Sequence, residues 1–375
     1  MQPNGYTGVP LTHHQLIVPV AGVDPNGAPD AKTLARRMAE LRAWAREKGY
    51  YSVPLWEKAL RGLELVAAPA LAFVLLAQGG VAAALGALIL GLHYPRTAYL
   101  GHDLAHGQWA PRNETKARIM LRLVSLGQGF GSTWWVEKHE LHHAFPNACR
   151  VGEDGIRAPI DGDIDSPPWL VWDKSLAQYN AKARQAGLGR ALTFLLPRFQ
   201  VSLFFPILSV ARFNWSWQSI DVAVKNKQWT EATLCVAHWV VGFTLAGLIT
   251  PGAAWTGWLW FFASQLLGGF ILAFVFVLNH TGMEVYEAAE AKGFYDRQAR
   301  ATRNTPSSPL HDWLTGGLNS QIEHHMFPSL SRRRLAQMRE ATKAAMLESG
   351  YPYVTLDNRN AIRAVLCALG EAARA

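Results

Sequence analysis

Two long windows of this chain contain no Asp, Glu, Lys or Arg. The first runs from Leu65 to Pro95 and is broken at Gln78-Gly79-Gly80, a turn signal between two helices. The second, Ala232 to Met283, is divided by Pro251-Gly252 into two runs of spanning length. Trp255, Trp258 and Trp260 follow that break, as in an interfacial aromatic belt. A helix needs about 20 residues to cross a bilayer, so two spans overflow the first window. The first of them must recruit Leu55, Trp56, Leu60 and Leu63, with Glu57, Lys58 and Arg61 snorkelling at its end. The pattern predicts spans at about 55–78, 80–100, 232–250 and 255–279.

Elsewhere the pattern is mixed. From Ala31 to Lys48, the residues Leu34, Met38, Leu41 and Ala45 share one helical face and Arg or Lys take the others. Such a helix lies on a membrane surface or docks on a soluble domain. Between the windows, stretches 117–135 and 191–211 are moderately apolar but interrupted by Arg or Gly, which predicts interfacial helices. Residues 1–30, rich in Pro, Gly and Asn, are expected to pack irregularly or stay mobile, and they lack a secretory-signal pattern. The expected division is an N-terminal cytosolic segment 1–54, a membrane domain 55–350 and a C-terminal helix or tail 351–375.

Composition narrows the class. Half of the 375 residues are apolar and 15 are Trp, which suits membrane spans joined to a charged domain. The formal charge of +8 raises nucleic acid as a partner, but no basic stripe is interleaved with base-stacking aromatics. Basic groups instead flank apolar runs, at Arg36-Arg37, Arg42, Arg46 and Lys48 and again at Arg332-Arg333-Arg334, as a negatively charged cytoplasmic leaflet favours. Cys149, Cys235 and Cys367 are isolated, so neither a disulfide framework nor an iron–sulfur site is expected.

The chemistry sits in histidine. Eight of the 13 histidines form three clusters and one partner: His102 and His106; His139, His142 and His143; His324 and His325; and His280 closing an apolar run. Residues three and four apart share a helix face, so each cluster is expected to project its imidazoles to one side. Eight imidazoles are too many for one ion and suit two. Because the second window crosses twice, all three clusters emerge on one side. That side holds nearly all the Lys and Arg and is expected to be cytoplasmic. Imidazole ligation of two metals beside membrane spans points to oxidative chemistry on apolar substrates. Asp103, Glu137, Glu140 and Glu323 neighbour the ligands and are candidates to accept their second N–H. Trp135, one turn before His139, is a candidate wall of a substrate channel. His13, His14, His93 and His238 carry no expected role, and His311 lies close enough to the third cluster to support it.

His102-Asp-Leu-Ala-His106, His139-Glu-Leu-His142-His143 and Gln321-Ile-Glu-His324-His325 resemble the three histidine boxes of the membrane fatty acid desaturases. The resemblance extends to Ala211–Trp215 with Gln218-Ser219, Asn279–Glu284, Thr302–Asn304 and, most specifically, Asp312–Asn319 leading into Gln321–Pro328. Gln321 in place of a first histidine is typical of the front-end branch. The resemblance covers roughly residues 60–345. It implies an all-α integral membrane protein, with four transmembrane helices and a cytosolic helical cap holding a dimetal histidine site. It further implies two iron ions held by the eight histidines, with dioxygen as co-substrate. Gln321 would touch the metal through its carbonyl, through water, or only orient a neighbour. The implied reaction is desaturation of a fatty acyl chain between an existing double bond and the carboxyl end, with a hydroxylase or acetylenase as the sister alternative. A membrane metal transporter is the non-enzyme alternative, and it would need ligands near the bilayer midplane. No His-Pro-Gly-Gly cytochrome motif is present, so a separate ferredoxin- or cytochrome b-type donor with its reductase is expected. The Ala- and Arg-rich composition suggests a bacterial inner membrane.

Overall fold

A computed structural model describes residues 29–166, 169–182 and 188–375, with side chains described from 195 in the last stretch. The N-terminal stretch, with His13 and His14, lies outside the described residues.

Helix α1 (Ala31–Glu47) is capped by Asp30, whose carboxylate accepts from the backbone of Lys32 and Thr33. Its apolar stripe, Leu34, Met38 and Ala45, is buried against Ile322, Met326, Leu335 and Met338. This amphipathic helix therefore docks on protein, and on the part that carries the third histidine box.

Helices α2 (Leu55–Leu76) and α3 (Gly80–Ala105) are joined by the expected turn, where Gly79 and Gly80 take φ of +71° and +53°. The chain continues through α4 (Thr115–Gln128), α5 (Ser132–Ala144), β1 (Ala148–Val151), β2 (Arg157–Pro159) and α6 (Ala177–Lys182). Next come α7 (Leu188–Ser209), α8 (Ala211–Lys225), α9 (Trp229–Ile249), α10 (Ala254–His280) and β3 (Tyr286–Glu287). The last elements are α11 (Phe294–Ala301), α12 (Pro309–Thr315), α13 (Gln321–Met326), α14 (Arg332–Glu348) and α15 (Asn358–Arg374).

Among the described residues, three helices are long and apolar enough to cross a membrane: α2, α9 and α10. Sequence reading expected a fourth at 80–100. That stretch is helical, but α3 carries His93, Arg96, His102 and Asp103 in its C-terminal half, which lowers its apolar character. Those groups point inward. Arg96 pairs with Glu64 of α2 at 2.6 Å and donates to the Trp313 carbonyl at 2.7 Å. The central layer is α3 packed between α2 and α10, with α9 against α10. Where α9 and α10 cross, Gly257 lets the backbones meet, since a Cβ there would overlap the Ala246 carbonyl.

Arg212, the second residue of α8, pins four helices together. Its buried guanidinium donates to the side-chain and backbone oxygens of Gln128 and to Gln265 Oε1, and it lies 4.0 Å over the Tyr94 ring. The all-helical expectation missed one feature. A small sheet of order β2-β1-β3 follows the second histidine box, with β1 antiparallel to β2 and parallel to β3. Its strands are too short to leave a periodic signal.

Candidate metal centre

The eight histidines are delivered by the ends of four elements: the last turn and cap of α3, the last two turns of α5, the final residue of α10, and α13. Sequence reading placed each cluster on a single face. Successive helical residues are about 100° apart, however, so each adjacent His-His pair must split. His143 and His324 join His102, His106 and His139 in one group; His142 and His325 join His280 in a second. Within each group the ligating atoms lie within 4.8 Å of one another.

In the larger group the Nε2 atoms touch in sequence. The separations are 3.0 Å for His102–His324, 3.0 Å for His324–His143, 3.1 Å for His143–His139 and 2.9 Å for His139–His106. Nitrogens about 2.1 Å from a shared ion sit about 3.0 Å apart when at right angles, so this spacing suits a first-row metal. The smaller group fits for a different reason. His142 Nδ1 is 2.9 Å from Asp161 Oδ2, His280 Nδ1 is 3.0 Å from the Ala301 carbonyl, and His325 Nδ1 is 2.7 Å from Gln298 Oε1. A hydrogen bond donated by each Nδ1–H to its acceptor leaves Nε2 as the ligating nitrogen. Among the described residues, His325 Nε2 is buried with no hydrogen-bond partner, and so is Gln321 Oε1, beside the 2.9 Å contact between Gln321 Nε2 and His280 Nε2. These three imidazoles and the unpaired amide oxygen are donors of the kind that could hold a second ion.

Electrostatics supports the neutral, ligating form. Burial, and then the neighbouring imidazoles, hold His106, His139, His143, His324 and His325 well below the usual histidine range. His142 differs. Burial lowers it, but the Asp161 and Asp163 carboxylates together outweigh that and raise it to about 9. An arriving metal ion would therefore displace a proton from His142.

The carboxylates singled out by proximity in sequence sit elsewhere. Glu140 is exposed and pairs with Arg112, and Glu137 also faces solvent. These corrections follow from the face of α5 that packs inward, which the histidines occupy. Asp103 is buried 3.8 Å from His102 Nδ1 and pairs with Arg332 at 3.0 Å. Glu323 accepts from Asn304 and the Tyr353 hydroxyl, both at 2.8 Å, and so braces α13 rather than an imidazole. His311 lies on α12 and joins neither histidine group. His93 and His238 are likewise outside both; His93 contacts Thr97, and His238 contacts the Leu126 carbonyl and Gln265. The residues that do hold imidazoles, Asp161 and Gln298, carried no motif. The Asp161-Gly-Asp163-Ile-Asp165 run was the only available signal for the first, and Gln298 had none.

Beside the histidines lies an apolar cavity walled by Tyr99, Phe130, Trp134, Trp172, Leu208, Trp215, Ala273, Phe276 and Leu318. His102 and His139 of the larger group, and His142 and His280 of the smaller, open onto it with Gln321. Trp135 lines the same cavity and stacks flat on His139, with ring centroids 4.4 Å apart. An extended apolar molecule in this space would be presented to both groups at once.

Comparison with known proteins agrees with this arrangement. The fatty acid desaturase family model matches residues 79–357, from the start of α3 to the approach to α15. Among similar proteins are an acyl-lipid (9-3)-desaturase of Physcomitrium patens, 33% identical over 91% of this chain and 63% of that protein, and the Delta(6)-fatty-acid desaturase fat-3 of Caenorhabditis elegans, 31% identical over 72% and 60%. A Delta(8)-fatty-acid desaturase of Euglena gracilis is 29% identical over 72% of this chain and 62% of its own length. The chain spans less than two thirds of the length of these relatives. The matched region contains every histidine of both groups and the whole cavity wall, and the chain belongs to the fatty acid desaturase family.

Proposed function

We propose that this protein desaturates a fatty acyl chain at a di-iron centre, placing the new double bond between an existing one and the carboxyl end. The observation that carries the reading is the opening of both histidine groups onto one aromatic-walled apolar cavity. Two irons held by His102, His106, His139, His143 and His324 and by His142, His280 and His325 would, with dioxygen and two electrons, supply the oxidising power that an unactivated C–H bond requires. The protein's own part is positional. Trp135 fixes the ring plane of His139 and forms cavity wall in one side chain. Trp134, Trp172, Trp215 and Phe276 confine a flexible chain and exclude water from the reacting carbons. Gln321, beside His280, is placed to complete the smaller donor set through its amide oxygen.

The front-end assignment rests on Gln321 and on relatives whose names describe Delta(6)- and Delta(8)-desaturases. The substrate is then an already unsaturated acyl chain, and the electron donor is a ferredoxin- or cytochrome b-type carrier. The membrane arrangement belongs to the same reading. It has four spans at α2, α3, α9 and α10, the histidines on the cytoplasmic side, and a bacterial inner membrane as the site. Helices α4 and α7 then lie at the interface.

The test is expression in a host fed a saturated C18 acid or a linoleate-type acid, with lipid analysis of the products. Polyunsaturated products with the new bond nearer the carboxyl group are expected, with little conversion of the saturated chain. Efficient conversion of the saturated chain alone would remove the front-end assignment, and hydroxylated products would favour the sister chemistry. In the same host, a cysteine introduced at Gly252 should label only from outside the cytoplasm. Labelling from within would overturn the topology.

A further inference from the structure

We infer that Asp161 is a positioning residue that supports one ion position selectively, the one formed by His142, His280 and His325. The inference rests on reading the two histidine groups as metal positions.

Asp161 is fully buried, and three N–H groups point at its carboxylate. Oδ2 accepts from His142 Nδ1 at 2.9 Å and from the Asn147 backbone at 2.7 Å, while Oδ1 accepts from the Asp163 backbone at 2.9 Å. Asn147 is held at φ of +54°, a conformation disfavoured for a residue with a Cβ, and its Nδ2 donates to the His280 carbonyl at 3.1 Å. One carboxylate therefore joins the last turn of α5, the approach to β1 and the end of α10. Two of the three histidines of this group lie at the ends of that bracket. Gln298, also fully buried, does the same for the third. Its Oε1 accepts from His325 Nδ1, while its Nε2 donates to the carbonyls of His143 and Phe294.

The larger group lacks this support. The Nδ1 atoms of His143 and His324 are buried with no hydrogen-bond partner among the described residues. Asp103, the carboxylate closest to His102, is 3.8 Å from Nδ1 and is engaged by Arg332. Five imidazoles converging from three elements hold that position by number. The smaller position, with three, depends on each ring being aimed. A charged acceptor on Nδ1 fixes the tautomer and the ring plane and makes Nε2 a better donor. Removing the charge from Asp161 therefore acts on one ion and not on the other.

The experiment is iron content and Mössbauer spectroscopy of the full-length, detergent-solubilised protein loaded with isotopically enriched iron, compared with Asp161→Asn and Gln298→Leu. Wild type should hold both ions. Each variant should lose about 10- to 100-fold in affinity for one ion, so that chelator challenge leaves the signature of the other ion unchanged. In a His142→Ala background, Asp161→Asn should cost less further iron than it does alone, because part of its effect passes through that ring. Retention of both ions by Asp161→Asn at wild-type affinity would overturn the inference, as would equal loss of both ions from a variant whose helical content is normal. If Asp161→Asn fails to fold, Asp161→Glu, which keeps the charge but displaces the carboxylate from His142, is read by the same criteria. Wild-type protein that binds no metal would overturn the underlying metal reading instead, a distinguishable result.

Discussion

Helix α10 changes character along its length. Where it crosses α9, it packs through Gly257 and through Phe261, which lies against Phe243 with ring centroids 4.9 Å apart. Its last turn is different. Asn279 donates to the Leu318 carbonyl at 2.9 Å, and His280 enters the smaller histidine group. The crossing is held by close approach of small and aromatic residues, where the penalty falls on added volume. The histidine core is held by directed hydrogen bonds among buried polar groups, where the penalty falls on any lost partner. The two regions should therefore fail differently. Substitution at the crossing costs folding and spares the chemistry of each folded molecule, whereas substitution in the core costs chemistry and largely spares the fold.

The largest effect is expected at His325. Its imidazole is fully buried, with Nδ1 tied to Gln298 and Nε2 aimed at the smaller group. His325→Ala removes one of three histidines from that position, so product formation should fall at least about 100-fold, beyond the cost of losing a residue that only supports a ligand. Circular dichroism should show unchanged helical content, because α13 is held by Asn304, which accepts from the Ile322 backbone and donates to Glu323. Full turnover in the variant would dissolve the contrast between the two regions.

Next in size is Gly257→Ala. The added methyl meets the Ala246 carbonyl, a backbone group that cannot swing aside. Overpacking of this kind costs about 1–3 kcal/mol, so the thermal midpoint in detergent should drop clearly. Iron per folded chain should match wild type. A variant of unchanged stability that had lost its metal would reverse the contrast.

The same contrast explains what the sequence revealed. The α9–α10 pair was readable because a charge-free run with a Pro-Gly break is a one-dimensional pattern, and the helices Trp229–Ile249 and Ala254–His280 follow it closely. The α2–α3 pair was harder. Here α3 combines an apolar first half with a second half whose His93 and Asp103 are buried and whose half-buried Arg96 pairs with Glu64, so these groups face protein neighbours. In the core, spacing put the eight histidines on the right elements but could not show that adjacent pairs diverge. Asp161 and Gln298 reach the site from outside the histidine boxes, by way of the small sheet and α11. Their contribution depends on tertiary geometry, and proximity in sequence pointed instead to Glu140.

Glu140 gives the smallest expected effect and the sharpest boundary for the core. It sits between His139 and His142 in sequence, yet the rotation of α5 turns it to solvent, where its carboxylate pairs with Arg112. Both partners are about half exposed, with side-chain exposures of 56% and 45%. Exposed ion pairs of this kind contribute about 0–1 kcal/mol, because water screens the attraction and two long side chains must be ordered to make it. Glu140→Gln should therefore leave turnover within about twofold of wild type, shift the thermal midpoint by only a degree or two, and leave iron content unchanged. Loss of an ion in this variant would mean that the carboxylate reaches the histidines in the working enzyme, and the boundary of the core would then have to include the outer face of α5.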